Sequence, residues 1–374
     1  VPAKTPHKVA IVHDWLVGGG AEMVVLELHR MFPEAPIYTS YCSDEWRQKL
    51  DGKVVTGWLQ HWPFSKLRKF IPLLRIWWFG SLDLSGYDLV ISSSGNGEAK
   101  SVKAGSQYKQ GTLHICYCHS PTHFYWRHYD QYLQSPGFGI FNPVVRLALR
   151  LLVGPLRRWD LKASKRPDVY IANSEHIKRD IKRYYQRDST VIWPPIDTDR
   201  FIKGTTIAKR HGFITVGRQQ PYKRVDLIVE ACNRLGLPLT IIGGGPDHEQ
   251  LKKIAGPTVD FIPKDKATDA VITEQMAHAE AFIFASFEDF GITPIEALAA
   301  GTPVIAYKAG GALDYIQPGV NGAFFEEQTV ESLVAALKKF KTGDYNAKKV
   351  SQTSRQFSAG HFRERMLHFI EKSV

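Results

Sequence analysis

The chain has 374 residues, 44% of them hydrophobic and 23% charged, and carries a formal net charge of +11. Those values fit two globular domains of ordinary size, each able to bury a core, and exclude a disordered or fibrous chain. The surplus of 48 Lys and Arg over 37 Asp and Glu asks for an anionic partner, which leaves nucleotide, nucleic acid and acidic membrane as classes.

Cys42, Cys116, Cys118 and Cys232 are too few and too scattered for a disulfide framework and fit a reducing cytoplasm. Cys116-x-Cys118 lies in one strand pattern, so its thiols share a face and read as core. No apolar run reaches the ~18 residues of a membrane helix, and no secretory leader is expected.

In the first half, apolar runs predict strands at Val9–Val12, Leu89–Ser92, Leu113–Cys118 and Val169–Ala172, with helices such as Glu22–Met31 and Glu175–Tyr185. Between the first strand and helix, Gly18, Gly19 and Gly20 let backbone approach a phosphate or sugar, or simply turn. A dinucleotide fingerprint is ruled out, because Met23 stands where its third glycine belongs. From Trp58 to Gly80 there are basic residues (Lys66, Arg68, Lys69, Arg75) and tryptophans (Trp58, Trp62, Trp77, Trp78) but no acid. Phe64, Leu67, Phe70, Ile71, Leu74, Trp77 and Trp78 fit one helical stripe, which Pro72 must kink or end. His119 follows a strand and could hydrogen-bond a hydroxyl or phosphate, or accept a proton; His13-Asp14 is a weaker candidate. From Val144 on, Arg146, Arg150 and Arg157 would line a helix broken at Gly154-Pro155.

Paired prolines in Trp193-Pro194-Pro195-Ile196 stop the strand Thr190–Ile192 and mark a seam. Beyond it, strands are predicted at Phe213–Val216, Leu239–Ile242, Val259–Phe261, Ala281–Ala285 and Val304–Ala306, with helices at Asp226–Leu235 and Thr329–Phe340. Strands alternating with helices predict parallel βαβ layers in both halves. Arg218 ends a strand after Gly217, and Lys223 precedes a helix. Gly243-Gly244-Gly245 forms a second glycine turn, and Ile262-Pro263-Lys264 follows another strand. Glu288 stands past the apolar run Ala281–Ala285, and Glu296 lies eight positions on, with Phe290, Gly291, Ile292 and Thr293 between them. Thr293 can cap a helix that holds Pro294 in its first turn, and Gly301-Thr302-Pro303 closes it. Thr293-x-x-Glu296 also reads as a capping box, so Glu296 is open to a structural or a functional reading. Glu288 assists no packing and points to a polyhydroxylated ligand in the crevice at the strand ends.

Glu288 and Glu296 resemble the Glu-x7-Glu signature of retaining, nucleotide-sugar-dependent glycosyltransferases of family 4. Glu288-Asp289-Phe290-Gly291 stands where that family usually has Glu-Gly-Phe-Gly. With Ile292-Thr293-Pro294 and Gly310-Gly311-Ala312-Leu313, it is similar to bacterial mannosyltransferases of polysaccharide and O-antigen assembly that use GDP-mannose. The likeness runs from Val9 to about Phe325. It implies an α/β chain of the GT-B fold, two Rossmann-like doubly wound domains facing a central cleft. Residues 1–192 would bind acceptor, 193–355 would bind the nucleotide sugar, and 356–374 would return as a helix to the first domain.

By the same resemblance Arg218 and Lys223 grip the donor's pyrophosphate, and His119 faces the donor sugar. Glu288 with the Gly291 and Ile292 amides holds that sugar, Glu296 holds the ribose, and Ile262 and Lys264 lie near the base. Gly19, Gly20, Gly217, Phe290 and Thr293 complete the donor set. From its residues, the basic aromatic segment with Trp58, Lys66, Arg68, Lys69, Trp77 and Trp78 suits a lipid-linked or oligosaccharide acceptor and an anionic membrane surface, or else packs in the core with its basic ends snorkelling to water. The chain is then expected on the cytoplasmic face of the plasma membrane, with no metal and no cofactor besides its nucleotide-sugar substrate.

UDP-glucose or another nucleotide sugar is the alternative donor. A nucleotide-sugar epimerase or a non-catalytic nucleotide-sugar sensor at the membrane are the other readings. Nucleic acid is disfavoured for want of any binding module. Asp197-x-Asp199 is spelled like a metal site but follows the proline seam, and Asp289-Phe290-Gly291 lacks the companion motifs of a kinase.

Overall fold

The computed structural model describes residues 8–68, 70–134, 139–202 and 209–373. Val9–His13 (β1), Ile37–Thr39 (β2), Val54–Thr56 (β3), Leu89–Ser94 (β4), Leu113–Cys118 (β5), Val169–Ala172 (β6) and Thr190–Val191 (β7) form one sheet. Its order is β3-β2-β1-β4-β5-β6-β7, and every pair is parallel. Parallel strands are covered on both faces, which is why β1 and β4 are buried along their whole length.

A second parallel sheet holds Phe213–Val216 (β8), Leu239–Gly243 (β9), Val259–Pro263 (β10), Ala281–Phe284 (β11), Val304–Tyr307 (β12) and Gly322–Phe325 (β13). The order is β10-β9-β8-β11-β12-β13. Both sheets are of the doubly wound type. In each, the chain reverses its direction of winding at one place, β1/β4 in the first and β8/β11 in the second. Crevices that take ligands open at the carboxyl ends of strands at such points.

The chain divides into two units, Val1–Pro194 with Phe362–Val374, and Pro195–His361. The first is completed by the helix Ala359–Ser373, which buries Phe362, Met366 and Ile370 among Val9, Ile11, Ile115 and Ile192. Their spacing of four puts all three on one helical face. Arg363 pairs with Glu27 at 2.6 Å and Arg365 lies over Trp193 at 4.5 Å, which fixes the helix on that unit. The charge divides unevenly. The first unit holds 29 Lys and Arg against 18 Asp and Glu, the second 19 against 19, so the first carries all of the +11.

Several local expectations are corrected. Strands β2, β3 and β13 were not foreseen; they have only three or four residues, and β13 begins with a glycine, so their pairing comes from neighbours rather than propensity. Pro72 opens a helix, Pro72–Ser81, at the position where a missing N–H does no harm, rather than kinking one stripe. Helix Asn142–Ala163 runs unbroken through Gly154-Pro155, because the carbonyl that Pro155 leaves without a donor lies on an exposed stretch open to water. By length and composition Gly139–Ala163 would even cross a membrane, against the expectation that no segment could.

Candidate functional site

In the second unit, β8 delivers Gly217 and Arg218 to the β8/β11 switch point, and β11 delivers Ser286 and Glu288. A pocket there is lined by Gly217, Arg218, Lys223, Phe284 and Ser286. Lys223 ends the short 3-10 turn Pro221–Lys223, and its ammonium pairs with Glu288 Oε1, which also accepts from Ser286 Oγ at 2.7 Å. Both partners are about one-fifth exposed, so each can reach a ligand. Arg218 is exposed and has no ion-pair partner among the described residues. A free guanidinium beside a paired ammonium and carboxylate suits a ligand that carries both an anion and hydroxyls.

Glycine is required around Glu288 by close approach. Gly310 has φ +61°, and a Cβ there would lie 2.2 Å from the Glu288 carbonyl oxygen, which accepts the Gly311 amide at 2.9 Å. Gly291 has φ +91°, and its Cβ would lie 2.8 Å from the Tyr315 hydroxyl. The turn Gly243–Gly245 meets the β8 loop backbone to backbone, Gln219 donating to Gly244 O at 3.0 Å. Lys264 is exposed beside Gly244, and Ile262 is half-buried in β10.

Glu296 settles in favour of the non-capping reading. The helix is Thr293–Ala299, so Thr293 lies inside it; Ile292 is the cap and offers no side-chain bond. The capping box, one of the two readings open for Glu296, does not form, because the threonine hydroxyl stands one position past the cap. The Glu296 carboxylate instead faces Arg200 Nη2 at 3.9 Å. Burial pushes it up to about 7; Arg200 opposes the shift, while Asp269 and Asp197 add to it. Arg200 is itself paired with Asp269 at 2.9 Å. The Asp197-x-Asp199 turn therefore lies within electrostatic reach of Glu296 instead of being a detached linker. Phe290 is buried against Tyr315 and Phe357, so its ring packs in the interior and does not face a ligand. Gly291, Ile292 and Thr293 lead into the helix between the two glutamates.

In the first unit, the β1/β4 switch point gathers His13, Ser93 and His119. His13 Nδ1 lies 2.9 Å from Ser93 O, so that nitrogen carries the proton. Ser93 Oγ lies 3.1 Å from His13 Nδ1 and 2.8 Å from His119 Nε2. With His13 donating, the serine hydroxyl bridges the two imidazoles and holds the His119 ring in place through Nε2. Burial pushes the His119 imidazole down to about 3, with His13 adding to the shift. A neutral imidazole held this way is a hydrogen-bond donor and a poor base. Asp14 is spent on the backbone, where its carboxylate accepts the Gly95, Asn96 and Ala99 amides, each at 2.8 Å.

The first glycine loop is already occupied by a carboxylate of the chain. Glu22 Oε1 accepts the Gly18 amide at 3.0 Å and that of Val17 at 3.3 Å, while Gly19 and Gly20 remain exposed. The basic aromatic segment breaks up. Trp78 is buried beside Phe79; Trp77 is exposed, and Trp58 sits between Trp77 and Phe64 at 5.9 and 4.7 Å. Arg75 is buried in an ion pair with Glu98 at 2.7 Å and covered by Trp15. Arg68 caps Ser65 O at 2.6 Å and lies over Tyr41; Lys66 is exposed; Lys69 lies outside the described residues. The supposed arginine face also dissolves: Arg146 bonds Leu133 O and Gln134 O, and Arg157 bonds Tyr125 O.

Sequence reasoning missed Ser93, Ser286 and Arg200. Each stands within a few residues of a motif that was noticed, but only three-dimensional pairing gives it a role.

Residues 18–200 match the model of Glycosyltransferase Family 4, and residues 197–357 that of Glycosyl transferases group 1. A Schizosaccharomyces pombe alpha-1,3/1,6-mannosyltransferase alg2 is 24% identical over 85% of this chain and 71% of its own length. A Mycobacterium tuberculosis GDP-mannose-dependent alpha-(1-6)-phosphatidylinositol monomannoside mannosyltransferase is 31% identical over 38% of this chain and 44% of its own. A D-inositol 3-phosphate glycosyltransferase of Geodermatophilus obscurus is 28% identical over 46% and 45%. The chain thus spans less than half the length of two of these three relatives. Among solved structures, Anabaena HepE in complex with UDP superposes with a TM-score of 0.70 at 16% identity, over 98% of this chain and 100% of the other. Sucrose-phosphate synthase from Thermosynechococcus elongatus gives 0.68 at 16%, over 98% and 99%. With both halves matched and both sheets in place, the chain is of the glycosyltransferase family 4 type, built on the GT-B fold.

Proposed function

We propose that the chain is a retaining hexosyltransferase that takes mannose from GDP-mannose and transfers it to a hydroxyl of a lipid-linked saccharide or an oligosaccharide. The observation that carries the reading is the group at the β8/β11 switch point: Arg218 unpaired among the described residues, with Lys223 bound to Glu288 beside it.

The chemistry follows from charge. As the glycosidic bond to phosphate stretches, negative charge grows on the leaving diphosphate. Arg218 and Lys223 meet that charge with fixed cations, doing what a divalent metal does elsewhere; one preorganised contact of this kind is worth roughly 3–4 kcal/mol of barrier. Lys223 is released from Glu288 as it turns to the phosphate, and Glu288 is then free to accept from the sugar hydroxyls. Glu296, which burial lets ionise only near pH 7, takes the ribose hydroxyls as an acceptor once charged. His119 supplies a neutral imidazole to hydrogen-bond the sugar. Retention is assigned to front-side attack, with the acceptor hydroxyl losing its proton to the departing phosphate oxygen.

Mannose is favoured by the two mannosyltransferases among the relatives, one of them named as GDP-mannose-dependent. The test is a thermal-shift screen of GDP, UDP and ADP and their sugars, with and without chelator, since a specific ligand stabilises the native state by mass action. GDP-mannose should give the largest shift, unchanged by chelator. Transfer from GDP-mannose to a lipid-linked acceptor should then yield the α-anomer, read by NMR. A larger shift with UDP-glucose, a β-linked product, or donor isomerised without acceptor would each overturn the assignment.

A further inference from the structure

The helix Asn142–Ala163 has 22 residues and so is about 33 Å long, yet it buries only Leu156, Asp160 and Ala163, all in its last two to three turns. Asp160 anchors that end, bonding Lys100, Thr122, Trp126 and Tyr185. The rest stands clear of the core. Ile140, in the 3-10 turn Gly139–Phe141 that leads into it, precedes Val144, Leu147 and Leu151, whose spacings of three and four place them on one stripe of the helix. They are 88, 67, 57 and 67% exposed. An apolar stripe of this length presented to water is unfavourable unless something covers it.

The charge distribution selects the cover. The unit that bears this helix holds the whole net charge of +11, and Arg150 and Arg158 are exposed on the helix itself. A second copy would set like charges against each other along the stripe. A nucleic acid would satisfy the cations and leave the leucines in water. An anionic bilayer answers both. We propose that the first four turns of this helix are a membrane-insertion element, with the apolar stripe in the acyl region of one leaflet and Arg150 and Arg158 at the phosphates. The free portion is about 20 Å long, short of the ~30 Å hydrocarbon core, so it dips into one leaflet and does not span. This is a different device from the electrostatic face expected from sequence, whose arginines 75, 146 and 157 are engaged within the protein.

The experiment uses the full chain and vesicles of phosphatidylcholine with or without phosphatidylglycerol. All four cysteines are buried, so Val144→Cys can carry an environment-sensitive fluorophore. The wild type should sediment with anionic vesicles, and the label should be quenched by lipids brominated on the acyl chain. Leu147→Gln with Leu151→Gln should weaken partition by about 100-fold, the loss expected for two leucine side chains that no longer leave water. Those residues are exposed, so the melting temperature and the nucleotide-induced thermal shift should be unchanged. That separates failure of insertion from failure of the sugar-transfer reading. Three results overturn the proposal: no vesicle binding, an unquenched label with undiminished binding by the double variant, or a solution dimer that the double variant dissociates.

Discussion

Glu296→Gln should make the protein more stable above neutral pH while weakening its grip on nucleotide. The carboxyl is raised from 4.5 to about 7, chiefly by burial. The folded state therefore holds this proton more tightly than the unfolded chain, and stability is lost as pH climbs from 4.5 through 7. By pH 8 the ionised group costs up to about 3 kcal/mol, at 1.36 kcal/mol per unit. Glutamine keeps the shape and never ionises. Arg200 is not stranded, because Asp269 remains at 2.9 Å. Urea titrations of both proteins at pH 4 and pH 8 provide the readout. They should coincide at pH 4, and the variant should gain up to about 3 kcal/mol at pH 8, while calorimetry of nucleotide binding shows roughly tenfold lower affinity through the lost charged acceptor. Equal stability at pH 8, or a variant weaker at both pH values, would refute the burial argument.

Lys223→Met should lower turnover by at least about 100-fold, since it removes a cation from the leaving group, while isothermal binding of free mannose stays as in wild type. Arg75→Leu should destabilise the protein by about 3–5 kcal/mol in denaturant melts, because Glu98 is left buried without its partner; an effect confined to vesicle binding would restore the lipid reading of that arginine. Gly310→Ala should cut turnover sharply by forcing the Glu288 backbone away from a Cβ 2.2 Å from its carbonyl, and a crystal structure of the variant should show that shift. His119→Phe should reduce kcat/KM, yet the wild-type profile should contain no inflection from this group between pH 5 and 8. Its imidazole is lowered to about 3, below the usual 6.5, so it is neutral throughout that range, and the stability linked to it is lost only as pH falls below 6.5.

The two sheets were legible because parallel strands buried on both faces write continuous apolar runs, as at Ile115–Cys118 and Ala281–Phe284. Strands β2 and β3 left no such trace; three residues make no pattern, and the pairing of β2 with β1 decides them. That Glu288, Lys223 and Arg218 would stand at the ends of strands could be read because each follows a strand or turn signal in sequence. Ser93 could not, since its position between His13 and His119 depends on β4 lying beside both β1 and β5. The basic aromatic segment misled for a related reason. Composition reports that Arg75 and Trp78 are cationic and aromatic, whereas Arg75 is buried by Glu98 and Trp15 and Trp78 by a cluster with Leu59, Leu84 and Val90, all outside the segment's own pattern.

Phe362–Val374 belongs to the same unit as Val1–Pro194, with the whole second unit between them in sequence. A growing chain therefore cannot finish its first unit until Ile370 has been made, whereas Pro195–His361 is already whole when His361 leaves the ribosome. The later segment is free to fold first, and the earlier one must wait with the seat of Phe362, Met366 and Ile370 still open. Termination anywhere between His361 and Ile370 would consequently damage the unit whose other residues were made earlier.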